Sequence, residues 1–363
     1  MCSADAAVIT VLPGDSSPGI QQAIEKADSG DVVEVFGGIY KENVNVTKPL
    51  ILRGMASGSE MPVIDAGGNE CAIVISADGV RIDGIRATNS SEDGIQVISN
   101  GNSILNSTAD NNEYAGIALD DSSNNTLSGN TVYSNGDAGI ELDQSDGNAI
   151  RSNVARDNGD AGIEVSKSGQ NVIVDNLAFN NSNDGIELLS SINNTIKLNR
   201  ADRNKDGICL EVDSRKNIVS HNSASQSQVT GIQIRSSNEN FISDNNISGC
   251  HDAVFLESSY ENIITNNIAM NNRIGISINY YSADNRVYGN ILDHNLDYNA
   301  YDESGQNQWD DGRSGNFYGD YSSPAQVCQD KDGDGACDAA HSIQGGASTD
   351  RHPLCRAPSR TPI

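Results

Sequence analysis

The chain has 363 residues, with 23 Lys and Arg against 50 Asp and Glu, a formal net charge of −27. No apolar run approaches the ~18 residues that span a bilayer, and so acidic a chain excludes nucleic acid, whose phosphates need clustered cations, and disfavours anionic lipid surfaces for the same reason. Hydrophobic residues are 36% and aromatics 5%, against 35 Gly and 43 Asn, so two domains or an elongated repeat are expected rather than one compact core.

The first segment, MCSADAAVITVLPGD, lacks the basic and apolar stretches of a signal peptide. Ser17 is placed to cap a helix, with Pro18 in its first turn. Ile20, Ala23, Ile24 and Ala27 then share one face at helical spacing, predicting a short amphipathic helix that covers the first β-coil. Residues 31–90 read as less regular β-coils.

From residue 93 an internal period takes over. Segments such as DGIQV, AGIEL and DGIEL place Gly94, Gly116, Gly139, Gly162, Gly185, Gly207, Gly231, Ala253 and Gly275 at steps of 22–24 residues. A second ladder runs from Asn102 through Asn125 and Asn148 to Asn285, and a third from Asn106 through Asn130 and Asn153 to Asn290. In AGIEL, Ile140 and Leu142 face one way and Glu141 the other. The runs between Gly and Asn are too short for helices, so each repeat holds three short strands. Such strands bury nothing alone and become stable by stacking coil on coil. Asn is expected at the corners, accepting left-handed backbone, and inward, bonding to the coils above and below. The expected fold is all-β: a parallel β-helix over residues 31–297, after an N-terminal segment and capping helix at 1–30 and before an irregular C-terminal cap at 298–363.

Residues 298–321 hold six of the 17 aromatics, among them Trp309, as an aromatic cap or a sugar-stacking platform. Beyond them, Asp330, Asp332, Asp334 and Asp338, with the carbonyl of Ala336, follow a calcium-loop spacing, with Gly335 at the turn. His341 stands where an EF-hand requires Glu, so the pattern is closer to the shorter Asp-rich calcium loops. Four close carboxylates repel one another without a cation, and a structural Ca²⁺ clamping the tail is expected. Cys328 and Cys337 frame this loop and could close a small ring; the seven Cys are otherwise scattered.

The opening IQQAIEKADSGDVVEVFGGIYKENVNVTKPLILRG, the Gly-Ile and Asn repeats, and the tail YDESGQNQWDDGRSGNFYGDY followed by DKDGDGACDAAHSIQGGASTDRHPL resemble the NosD-type right-handed parallel β-helix proteins, over roughly residues 16–354. The resemblance implies a right-handed coil within the pectin-lyase-like group, which includes carbohydrate-binding proteins and sugar hydrolases and whose active sites often use acidic residues on the outer face of the first strand. It implies residence in the periplasm, at the cell surface or outside the cell. The family's copper label does not fit the five His, which form no His-x-His or His-x₃-His pair, so copper is not expected.

Stacking the repeats assembles the candidate sites. Glu141, Glu164 and Glu187 form an outward column on the first strand, with Asp143 in the next column. Such a ladder binds a cation, is raised in pKa, or splays into water. As carboxylate pairs these residues are the catalytic candidates for a polysaccharide lyase, epimerase or hydrolase. No DPHD-type motif of the mannuronan epimerases is present, and the nearby cations are few, chiefly Lys167 and Arg235. After the third strand, Tyr133, Arg156 and Phe179 fall in one column, to stack on one another or, with Trp309, on sugar rings. The leading reading is a secreted or cell-surface protein that binds polysaccharide or cell-envelope glycan, or builds an envelope layer by self-assembly, without catalysis. Enzymatic action on glycan and periplasmic copper binding are the alternatives.

Overall fold

The computed structural model describes residues 6–14, 19–58, 60–321 and 328–359. They fall into two compact units that divide between Leu177 and Ala178. Each unit is built from parallel β-coils of three short strands, one for each of three sheets. The fold is the parallel β-helix expected from the repeats, with the right hand that the resemblance implies.

The register shows why the period works. In the first unit Ile95, Ile117, Ile140 and Ile163 stack in successive strands, and so do Val97, Leu119, Leu142 and Val165. In the second, Ile196, Val219, Ile242, Ile264 and Val287 form the same kind of column. All of these side chains are fully buried, so each repeat places its apolar groups on their own equivalents one coil away.

The inward Asn ladders are present. Backbone N–H of one coil donates to the Asn Oδ1 of the next, as Asn125 to Asn148 at 2.7 Å in the first unit and Asn222 to Asn245 at 2.9 Å in the second. Two details differ from the sequence reading. The first member of the third ladder is Ser107, whose N–H donates to Asn130 Oδ1 at 2.9 Å; Asn106 sits one residue earlier at φ 48°. The left-handed corner is therefore the residue before each ladder Asn. Gly, Asn, Asp, Ser, His and even Leu198 (φ 57°) occupy it, because the coil geometry, not residue preference, imposes the angle there.

Two more ladders escaped the sequence reading. Asn112 and Asn135 donate backbone N–H to Asn135 and Asn158, each at 3.3 Å. Ser122 and Ser145 do the same to the hydroxyls of Ser145 and Ser168, at 3.0 and 2.8 Å. Their period was visible in the sequence but was masked by the abundance of Asn and Ser.

The helix forms over Ile20–Lys26, and Ile20, Ala23, Ile24 and Ala27 are buried, as their spacing predicts. Ser17 and Pro18 lie outside the described residues. Glu42 accepts from the N–H of Ile20 at 2.9 Å and of Gln21 at 3.0 Å, satisfying two amides of the first turn. Parallel pairing runs past both expected boundaries: Val8–Val11 pairs with Val32–Phe36, and Tyr298–Asp302 with Ile274–Ile278.

The second unit ends in an aromatic cap. Trp309 and Tyr318 are the largest fully buried side chains, at 0% and 1% exposure. Trp309 Nε1 donates to Asp302 Oδ2 at 3.0 Å, and the same carboxylate accepts from the Ser348 hydroxyl at 2.6 Å. Asp350 accepts from Asn316 N–H at 2.7 Å and from the Tyr318 hydroxyl at 3.1 Å. Two carboxylates, each surrounded by donors, thus tie distant loops together.

Candidate functional site

In the first unit, strands Ile95–Val97, Ile117–Asp120, Ile140–Asp143 and Ile163–Ser166 present Gln96, Ala118, Glu141 and Glu164 on their outer face. Alternation puts them there: their Ile, Leu and Val neighbours point inward. Asp93, Asp137 and Asp160, from the turns leading into these strands, stand on one side, and Asp120 and Asp143 on the other. Gln96 Nε2 donates to Asp120 Oδ2 at 2.9 Å, Asp93 Oδ1 accepts from Ala115 N–H at 3.0 Å, and Lys167 Nζ lies 3.2 Å from Asp143 Oδ1.

Glu141 and Glu164 do not splay into water; both are half-buried. Burial first, and then the charges of Glu164, Asp93, Asp137 and Asp120, push Glu141 up to about 8. Burial with Asp160, Asp137 and Asp143 pushes Glu164 up to about 7. Asp93 rises to about 6, again chiefly by burial, against the pull of its bond from Ala115. This outer face therefore carries carboxyl groups pushed towards the protonated form, able both to donate and to accept. It adjoins a cavity of about 200 Å³ lined by Asn43, Asn45, Cys71, Glu92 and Gln96.

Glu187 belongs to the second unit, where its register partner is Cys209. The outer face there is a closed network of ion pairs and hydrogen bonds. Arg235 bridges Glu211 at 3.1 Å and Glu257 at 2.9 Å. The Gln233 amide donates to Asp206 Oδ2 at 3.2 Å and accepts from Arg235 Nη2 at 2.7 Å. Asp184, missed in the sequence because its DG looks like a turn, is buried beside Asp206 and pushed up to about 7, burial being the larger cause.

The expected sugar-stacking groups sit in occupied surroundings. The Arg156 guanidinium lies 4.3 Å over the Tyr133 ring, and Arg203, which the sequence reading did not single out, 5.7 Å over Phe179. Trp309 must be corrected: wholly buried in the cap, it presents no ring face to a sugar.

In the C-terminal loop the carboxylates of Asp330, Asp332 and Asp334 lie within 4.8 Å of one another and are exposed. Asp330 accepts from Gly333 N–H at 2.6 Å and Gly335 N–H at 3.1 Å. Asp338 is not part of that trio; its Oδ2 accepts from Lys331 N–H at 3.3 Å. Ala336 N–H donates to Asp334 Oδ1 at 2.8 Å. An all-oxygen donor set of this kind suits a hard cation. Cys328 and Cys337 form the disulfide that closes the loop. His341 stacks on Tyr318 and Tyr321, ring centres 4.2 and 4.7 Å away, and takes no part in the loop. Among the described residues no His joins a group of three or more His, Cys, Asp or Glu with ligand atoms in mutual reach.

Comparisons with known proteins bear on the fold. Residues 178–323 match the family model described as periplasmic copper-binding protein (NosD), and residues 63–201 the right handed beta helix region. No curated protein matches the chain in sequence. Among solved structures, the A-module of the mannuronan C-5 epimerase AlgE6 of Azotobacter vinelandii superposes with a TM-score of 0.67 at 16% identity, covering 80% of this chain and 93% of that one. The Dettilon tailspike protein (gp208) gives 0.64 at 16% identity over 80% and 68% of the two chains. DFA-IIIase from Arthrobacter chlorophenolicus A6, in complex with GF2, gives 0.59 at 15% over 76% and 93%. At such identities the likeness is one of fold. Among the described residues no helix is long and apolar enough to cross a membrane. The parallel coils and stacked Asn ladders thus agree with both family matches on a right-handed parallel β-helix, and residues 178–323 are similar to the NosD family.

Proposed function

We propose that the protein binds an uncharged polysaccharide along the outer face of the first unit, outside the cytoplasm. The feature that carries this reading is the half-buried carboxyl pair Glu141 and Glu164 on adjacent strands, which burial and the neighbouring carboxylates push up to about 8 and about 7. Carboxyls near neutrality pair with sugar hydroxyls as donors and acceptors, whereas a uronate would bring its charge against an acidic wall. Two superposed proteins support a glycan: one is by name an epimerase of mannuronan, and the other was solved with GF2. The NosD description and the loop disulfide support a periplasmic or extracellular location. A calcium ion at Asp330, Asp332 and Asp334 belongs to the same reading as a structural clamp on the tail.

Proton NMR of neutral and uronate polysaccharides with the protein tests it. Broadened signals for a neutral glycan, unchanged chain ends, and loss of the broadening in Glu164→Ala are expected. Broadening confined to uronates would overturn the assignment of ligand class. Hydrolysis is the second reading, favoured by the pairing of Glu141 with Glu164 on the adjacent strand and by the burial that pushes Glu141 up to about 8, the direction a general acid needs. New reducing ends, abolished in Glu141→Gln, would replace binding by that reaction.

A further inference from the structure

The C-terminal loop brings three sulfurs together where a disulfide needs two. Cys355 Sγ lies 2.9 Å from Cys328 Sγ and 3.7 Å from Cys337 Sγ, although Cys328 and Cys337 are the bonded pair. Backbone hydrogen bonds, not the disulfide, hold the third sulfur there. Ala336 and Leu354 form an antiparallel bridge, Cys337 N–H donates to the Pro353 carbonyl at 2.7 Å, and Cys355 N–H to the Gly335 carbonyl at 3.1 Å. The segments carrying Cys337 and Cys355 are thus clamped side by side, and both sulfurs lie beside Cys328 Sγ.

We infer that this trio is an exchangeable disulfide centre, in which Cys328 passes between Cys337 and Cys355. The Cys355 thiolate attacks Cys328 Sγ; the Cys328–Cys355 bond forms as the Cys328–Cys337 bond breaks. The electron pair leaves on Cys337 sulfur, which takes up from water the proton that Cys355 released, so the step consumes no oxidant or reductant. The two forms differ in what they enclose. The Cys328–Cys337 pairing, nine residues apart, closes a tight ring around Asp330, Asp332 and Asp334. The Cys328–Cys355 pairing, 27 residues apart, ties the acidic loop to the end of the described chain instead and frees Cys337, which is buried at 4% exposure. The centre therefore switches the acidic loop between a closed and an open ring without unfolding the clamp beneath it.

Disulfide mapping of the full chain tests this. The folded protein is held at pH 8.5 without added thiol, quenched in acid, unfolded and labelled under acidic conditions that freeze exchange, then digested for mass spectrometry. Label on both Cys337 and Cys355 is expected; label on Cys355 with none on Cys337 after hours would overturn the inference. A second measurement uses Cys337→Ser, with its melting curve confirming that it folds. A Cys328–Cys355 disulfide in that variant is expected, and two free thiols would count against the exchange.

Discussion

A single ladder residue carries more hydrogen bonds than its size suggests. Asn222 accepts from Asn199 N–H and Nδ2 at 2.9 and 3.1 Å, and donates its own amide to the Ile196 carbonyl and Asn245 Oδ1, each at 3.0 Å. Asn222→Ala strips these partners at a fully buried position and should cost about 2–4 kcal/mol. Urea unfolding at unchanged m-value reads this, and a loss under about 0.5 kcal/mol would show that the ladder is incidental to stability. Glu141 gives a pH prediction of definite sign. Its carboxyl titrates at 4.5 when free and at about 8 in the fold, so between those values the folded state holds a proton that the unfolded state has lost. Stability from this group falls as pH rises through that window and changes no further above it. Glu141→Gln should therefore melt higher than the parent at pH 8 and level with it at pH 4, in thermal melts across pH. The outward direction of Glu141 was legible from alternation alone; its burial was not, because that depends on turns from neighbouring coils.

Within a coil, two kinds of glycine do different work. Gly139 has no unusual backbone angle, yet an added Cβ would meet Asn158 Nδ2 and the Gly162 carbonyl at 2.7 Å each and Val132 Cγ2 at 3.0 Å. Gly101, at φ +68°, has open space around it, and Asn124 fills the equivalent corner one coil on at φ 60°. Gly139→Ala should cost about 1–3 kcal/mol by overpacking, while Gly101→Asn should lie within about 0.5 kcal/mol of the parent. Paired thermal melts of the two variants check the contrast, and equal losses would refute it. The repeat made the Gly-Ile position conspicuous, but the sequence could not say whether a turn or a close approach of backbones required the glycine. The misplacement of Asn106 has a related cause: Asn suits both the left-handed corner and the inward position after it, so a slip of one residue exchanges corner for ladder while almost keeping the period.

For the molecule as a whole, the C-terminal elements decide how the second unit ends. Trp309→Phe removes the indole bond to Asp302 in a closed interior and should cost about 1–3 kcal/mol. Glycan binding should be untouched, since no face of Trp309 is open; a variant that stays stable but loses glycan signal would restore the platform reading. Calcium should raise the melting temperature of the full chain by a few degrees and a chelator reverse it, as for any ligand of the folded state alone. Asp332→Asn should abolish the difference, and identical melts with calcium and chelator would remove the clamp. The sequence by itself determined the coil, its three strands, its inward Asn and its apolar columns. In a stacked repeat each residue meets its own equivalent one period away, so spacing along the chain translates directly into contact in space. Only the tertiary structure decided which outward carboxyls are buried, that Trp309 is core, and that Cys355 sits against a formed disulfide. Those contacts join residues with no common period, such as Asp302 and Ser348, 46 positions apart, and nothing in local pattern marks such pairs before the chain has folded.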